Sequence, residues 1–190
     1  MKSESLVVLD RDGLINVDFG YVHTRDNFQF MPGIFELCSL FTKHGMTIVV
    51  ATNQSGIARN FYSEKEFDDL SEWMVAEFRS RGIEISKVYR CPHLPKETQT
   101  NISSTNAGCS CRKPQPGMLL DAIRDFEKDA RNCIILGDKE TDMLAGLNAG
   151  FETRILVGDE NTSTSCTERF ADLSGAFDYF KAKLETSEIS

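Results

Sequence analysis

Short runs rich in Val and Ile alternate along this chain with stretches of helical period, and no other feature narrows its fold as far. Candidate strands are Leu6–Leu9, Met46–Ala51, Lys87–Arg90, Cys133–Leu136 and Thr153–Val157. Between the first two, Ile34, Leu37, Cys38 and Phe41 recur at helical spacing until Gly45 stops the pattern. A second helix opens at Ser63, where Ser-x-x-Glu66 has the form of a capping box; Phe67, Leu70, Trp73, Met74 and Phe78 then mark one face, and Gly82 ends it. Further helices are expected at Met118–Lys128, Asp142–Asn148 and Gly175–Leu184. Strands alternating with helices imply an α/β fold, a parallel sheet with helices on both faces.

The 190 residues suffice for one domain, expected over 1–184 with a loose tail at 185–190. An apolar fraction of 41% excludes disorder of the whole chain. Twenty-nine acidic against 21 basic residues leave a net charge of −8, which argues against nucleic acid or an anionic membrane as partner. The longest apolar runs, such as Leu6–Leu9, are far shorter than the ~20 residues of a membrane span. Met1-Lys-Ser-Glu-Ser is wrong for a secretory signal, so the expected compartment is the cytoplasm and the expected state a monomer. The six cysteines there would be reduced thiols or metal ligands. No GxGxxG pattern supports a dinucleotide site.

Chemistry gathers where strands end. Asp10-Arg-Asp-Gly13 follows the first strand, at the edge where open α/β sheets bind ligands, and two carboxylates so close call for a hard cation such as Mg²⁺. The second strand runs into Thr52-Asn-Gln-Ser-Gly56, whose hydroxyl and backbone N–H groups suit phosphate oxygens. Arg112-Lys113-Pro114 brings cations. Gly137-Asp-Lys-Glu-Thr-Asp142 closes the fourth strand with Asp138 and Asp142 four apart, near enough to face one site from a helix start. Separately, Cys91-Pro-His93 and Cys109-Ser-Cys111 offer three thiols and an imidazole across a 15-residue loop, the ligand set of a closed structural Zn²⁺ site. That zinc loop, 91–111, would fasten Arg112 and Lys113 at the phosphate. Cys38 and Cys133 read as core fillers.

In this order, Asp-x-Asp-Gly, Thr-Asn, Lys and Gly-Asp-x-x-x-Asp resemble the four motifs of the haloacid dehalogenase superfamily of phosphatases, over about 7–157. The resemblance implies a Rossmann-like core with a minimal cap and an Mg²⁺-dependent phosphoric monoester hydrolase. Asp10 would be the nucleophile that forms an aspartyl phosphate, and Asp12 the general acid and base. Asp10, Asp12 and Asp138 would hold Mg²⁺ with Asp142 behind them, while Thr52, Arg112 and Lys113 stabilise the transferring phosphoryl group. Cys-Pro-His with Cys-x-Cys-Arg-Lys-Pro narrows the likeness to the branch of heptose-1,7-bisphosphate 7-phosphatases and histidinol-phosphatases. Gly20-Tyr-Val-His23, the segment from Thr52 to Arg59 and Gly137-Asp-Lys139 look like the heptose enzymes. Carried over by position, Asp18, Gly20, Tyr21, Asn53, Gln54, Ser55, Arg112 and Lys139 would contact a small phosphorylated sugar, losing its C7 phosphate. Phe19 and Asn60-Phe-Tyr62 depart from that pattern. Alternatives are a histidinol-phosphatase or other small phosphate monoesterase, and a phosphate-sensing binding module; the acid at Asp12 favours an enzyme.

Overall fold

A computed structural model describes residues 5–95, 108–158 and 164–187. Six parallel strands, β1 (Leu6–Leu9), β2 (Thr47–Asn53), β3 (Ile85–Cys91), β4 (Cys133–Gly137), β5 (Thr153–Val157) and β6 (Glu168–Phe170), form one sheet in the order β3-β2-β1-β4-β5-β6. Five α-helices accompany them among the described residues: α1 (Ile34–Lys43), α2 (Glu64–Arg79), α3 (Gly117–Asp125), α4 (Glu140–Ala149) and α5 (Leu173–Ser187). Alternation along each strand builds two cores. Val7 and Leu9 of β1 with Ile48 and Val50 of β2 pack with α1, α2 and α5, whereas Leu6, Val8, Val49 and Ala51 pack with α3 and α4. The expected α/β layers are therefore present, with both faces of the sheet covered.

Strand order reverses between β1 and β4, which is where a parallel sheet opens a crevice at its carboxyl edge. Residues that follow these two strands are brought together there. The long connection after β1 is not irregular throughout: Met31 N donates to Ile15 O at 2.9 Å and Val17 N to Gln29 O at 2.8 Å, folding it back on itself beside that edge. The α2 capping box forms as expected, Ser63 N donating to Glu66 Oε2 at 2.7 Å and Glu66 N to Ser63 Oγ at 3.2 Å.

Several boundaries differ from the expectations. β6 has no counterpart among the expected strands, because its three residues at the sheet edge show no run of apolar side chains. α3 stops at Asp125 rather than Lys128: Glu127 takes a left-handed φ of 51°, which a helix cannot continue through. α4 starts two residues before Asp142, whose carboxylate accepts from Lys139 N at 3.2 Å and so caps the first turn. α5 runs through Ser187, so 185–187 of the expected tail are helical; 188–190 lie outside the described residues, as do 96–107 of the zinc loop. Among the described residues, no helix is long and apolar enough to cross a membrane.

Candidate active site

Asp10 leaves β1 with its N–H donated to Leu136 O at 2.9 Å, so the first carboxylate is tied across the sheet to β4. One oxygen from each of Asp10, Asp138 and Asp142 lies within 4.8 Å of the others. Lys113 Nζ sits among them, 2.7 Å from Asp10 Oδ1, 2.5 Å from Asp142 Oδ1 and 2.7 Å from Ala51 O. Two glycines make the approach possible. A Cβ on Gly13 would collide with the Asp138 carboxylate, and one on Gly137 would lie 2.5 Å from Asp142 Cβ. The glycines of both motifs are thus explained by space, and Gly13 also needs its φ of +99°.

Three carboxylates face the buried Lys113 ammonium and the half-exposed Lys139, 3.4 Å from Asp138 Oδ2, which leaves excess negative charge in a buried place. Burial and then the Asp10 charge push the Asp138 carboxyl up to about 7, and burial also raises Asp10. Burial alone would lower the Lys113 ammonium, but Asp10 and Asp142 hold it above the ordinary lysine value. Asp138 Oδ1 is buried without a hydrogen-bond partner among the described residues. An all-oxygen donor set with one unsatisfied oxygen fits Mg²⁺.

Asp142 stands in this cluster of side-chain oxygens, and the Asp12 side chain lies outside it. Arg11 turns the Asp12 side chain aside: its Nε and Nη2 donate to Oδ2 and Oδ1 at 3.1 and 2.7 Å. Asn16 Nδ2 adds a bond to Oδ1 at 3.1 Å and Gln54 Nε2 one to Oδ2 at 2.8 Å. Asp142 is drawn in instead because capping α4 points its carboxylate back toward Lys113.

A cleft of about 560 Å³ opens over these groups and is lined by Asp10, Asp12, Thr52, Arg112 and Lys113. Every residue expected to contact substrate also lines it: Asp18, Gly20, Tyr21, Asn53, Gln54, Ser55 and Lys139. Lys139 Nζ pairs with Asp18 Oδ2 at 3.0 Å, joining the loops after β4 and β1 across the cleft. Two amides hold machinery in place. Asn53 accepts from Lys113 N at 3.0 Å and donates to Lys113 O at 3.1 Å; Gln54 Nε2 donates to Thr52 Oγ1 at 2.8 Å as well as to Asp12. Tyr21, at a φ of 54°, meets Phe61 edge to face with centroids 4.7 Å apart.

Cys91, His93, Cys109 and Cys111 present their ligand atoms within 4.8 Å of one another. Cys91 Sγ lies 3.0 Å from Cys111 Sγ and 3.8 Å from Cys109 Sγ, and His93 Nδ1 lies 3.2 Å from Cys111 Sγ. A tetrahedral zinc with arms of ~2.0–2.3 Å has ligand edges of about 3.3–3.8 Å; the Cys91–Cys109 separation matches, the two shorter ones would open slightly around the ion, and three thiols with an imidazole are the donor set that suits Zn²⁺. Arg112 follows the last thiol and donates to His93 O at 3.0 Å, which ties the cationic segment to the first half of the cluster.

Arg11, Asn16 and Tyr62 also belong to the site, in roles the motif spacing does not show. Tyr62 OH donates to Gln54 Oε1 and is buried. The available signal was Arg11 itself, a cation between two carboxylates in the chain.

A HAD-hydrolase-like family model matches residues 110–179. The D-glycero-alpha-D-manno-heptose-1,7-bisphosphate 7-phosphatase of Campylobacter jejuni is 44% identical over 183 residues, 96% of this chain and 99% of the relative. The D-glycero-beta-D-manno-heptose-1,7-bisphosphate 7-phosphatase of Vibrio cholerae is 47% identical over 152 residues, 80% of each chain. Among solved structures, the D,D-heptose 1,7-bisphosphate phosphatase of B. bronchiseptica, complexed with magnesium and phosphate, superposes with a TM-score of 0.80 at 28% identity, covering 94% of this chain and 99% of that one. Four motifs meeting at one strand-order reversal, a cysteine–histidine cluster beside them and relatives matched over nearly their full length lead to one assignment: the chain belongs to the heptose-1,7-bisphosphate 7-phosphatases, phosphoric monoester hydrolases of the haloacid dehalogenase superfamily.

Proposed function

We propose that this chain removes the C7 phosphate of D-glycero-D-manno-heptose 1,7-bisphosphate. The observation that carries the reading is the buried Asp10–Lys113–Asp142 arrangement at the floor of a cleft whose rim holds Arg112 and Lys139. Asp10 attacks phosphorus while the bond from phosphorus to the C7 oxygen breaks, giving an aspartyl phosphate and the sugar alcohol. Asp12, which lines the cleft, gives its proton to the departing oxygen, then takes one from the water that hydrolyses the aspartyl phosphate and regenerates Asp10. Thr52 and Lys113 bear on the oxygens of the transferring group, and Asn53 fixes the Lys113 backbone for that task. When bound at the Asp10–Asp138–Asp142 cluster, Mg²⁺ supplies the positive charge that offsets both the carboxylates and the phosphate. Zn²⁺ at Cys91, His93, Cys109 and Cys111 is structural, anchoring the segment that carries Arg112 and Lys113.

A second phosphate on the substrate matches the cations outside the reacting centre. Burial alone would lower the Lys139 ammonium, yet the Asp138 and Asp18 carboxylates hold it above the ordinary lysine value, charged and ready to exchange a carboxylate for a phosphate. The test is phosphate release from both anomers of the heptose bisphosphate and from histidinol phosphate, with and without chelator. The reading expects Mg²⁺-dependent release that strongly favours the bisphosphate; faster release from histidinol phosphate under matched conditions overturns the substrate assignment.

A further inference from the structure

Arg11 has the largest fully buried side chain among the described residues, 1% exposed, beside the cleft residue Asp12. Keeping a guanidinium out of water is costly, and an apolar side chain of similar size would usually stabilise a fold as well or better. Its bonds all lead to the site. Nε and Nη2 form a two-pronged grip on both oxygens of Asp12, and Nη2 also donates to Val22 O at 2.7 Å. Val22 closes the segment that holds Asp18, Gly20 and Tyr21, so one side chain ties the acid to the substrate loop. The Arg11 carbonyl is pinned in turn by Ile15 N at 2.8 Å and Asn16 N at 3.1 Å. Nη1 has no partner among the described residues, an arrangement that serves the carboxylate at the expense of its own hydrogen bonding.

Four donors converge on Asp12: two from Arg11, one from Asn16 and one from Gln54. Only Arg11 touches both oxygens, and a planar fork fixes the carboxylate plane where single donors would let it turn. We propose that Arg11 is a positioning residue that sets the Asp12 carboxylate for its two proton transfers and couples that setting to the substrate loop. This inference rests on the acid–base reading of Asp12.

Arg11→Lys keeps the charge and the aliphatic stem but loses the fork; Arg11→Gln loses the charge too. Each is compared with Asp12→Asn on a sugar phosphate and on p-nitrophenyl phosphate, whose aryl leaving group departs without a proton. With Arg11 as a positioning residue, both variants lose about 100-fold in kcat on the sugar phosphate with KM changed less than about threefold. On the aryl ester they retain a rapid burst of about one nitrophenolate per active site, followed by slow turnover as the aspartyl phosphate accumulates. Turnover within about threefold of the parent overturns the proposal. Loss of the burst together with turnover, or failure of both variants to fold, overturns it as well, since Arg11 would then support the fold and not the acid. If Asp12→Asn itself retains turnover on the sugar phosphate, the acid–base reading fails separately from the positioning claim.

Discussion

Gly13 has no space for a side chain because the Asp138 carboxylate occupies the position a Cβ would take. Gly13→Ala is therefore expected to cost about 1–3 kcal/mol in backbone strain and to displace Asp138, reducing turnover by about 100-fold. Thermal melting and phosphate release on the same preparation check both parts. Asp10→Asn removes the nucleophile but almost no volume, and is expected to abolish turnover with the circular dichroism spectrum unchanged; near-parent activity would exclude a covalent role for Asp10. At this scale the residue types were legible in the sequence and their orientations were not. Motif spacing brings Asp10, Asp12, Asp138 and Asp142 to one sheet edge, but which carboxylates face each other depends on the hydrogen-bond partner each one finds there. Arg11 turns Asp12 away, and a helix cap turns Asp142 inward.

Strands and helices with strong periodic signals lie where the sequence pattern puts them. β1 and β5 coincide with the expected runs, as does α1, and Phe67, Leu70, Met74 and Phe78 of α2 are buried as its period implies. Phe78→Ala should destabilise the fold by about 3–5 kcal/mol through the cavity it leaves, read as a lower denaturation midpoint with activity kept below it. β6 escaped because an edge strand of three partly exposed residues carries no periodicity, and the end of α3 because a left-handed Glu127 is not a residue preference. The cysteine–histidine cluster was legible as spacing alone. On the proposed reading it holds the Arg112–Lys113 segment, and metal analysis should then find about one zinc per chain. Stripping that metal should lower both melting temperature and kcat; a zinc-free protein of normal stability and turnover would refute a structural zinc.

For the whole molecule, a net charge of −8 is unfavourable for a doubly phosphorylated substrate, and the fold answers it locally. The strand-order reversal gathers three carboxylates around Lys113, while Arg112 and Lys139 line the cleft, so a cation bound at the carboxylates would turn this acidic place into one that accepts phosphate. Mg²⁺ should consequently raise the melting temperature, by the equivalent of about 2.7 kcal/mol at a hundredfold excess over its Kd, with the gain lost in chelator. No increase would contradict a cation site at Asp10, Asp138 and Asp142. The most direct test of the account is phosphorus NMR of D-glycero-D-manno-heptose 1,7-bisphosphate incubated with the protein and Mg²⁺. The account predicts that the C7 phosphate resonance is replaced by inorganic phosphate while the C1 resonance persists, and that Asp10→Asn leaves both intact. Loss of the C1 phosphate first, or no release from either position, would contradict it.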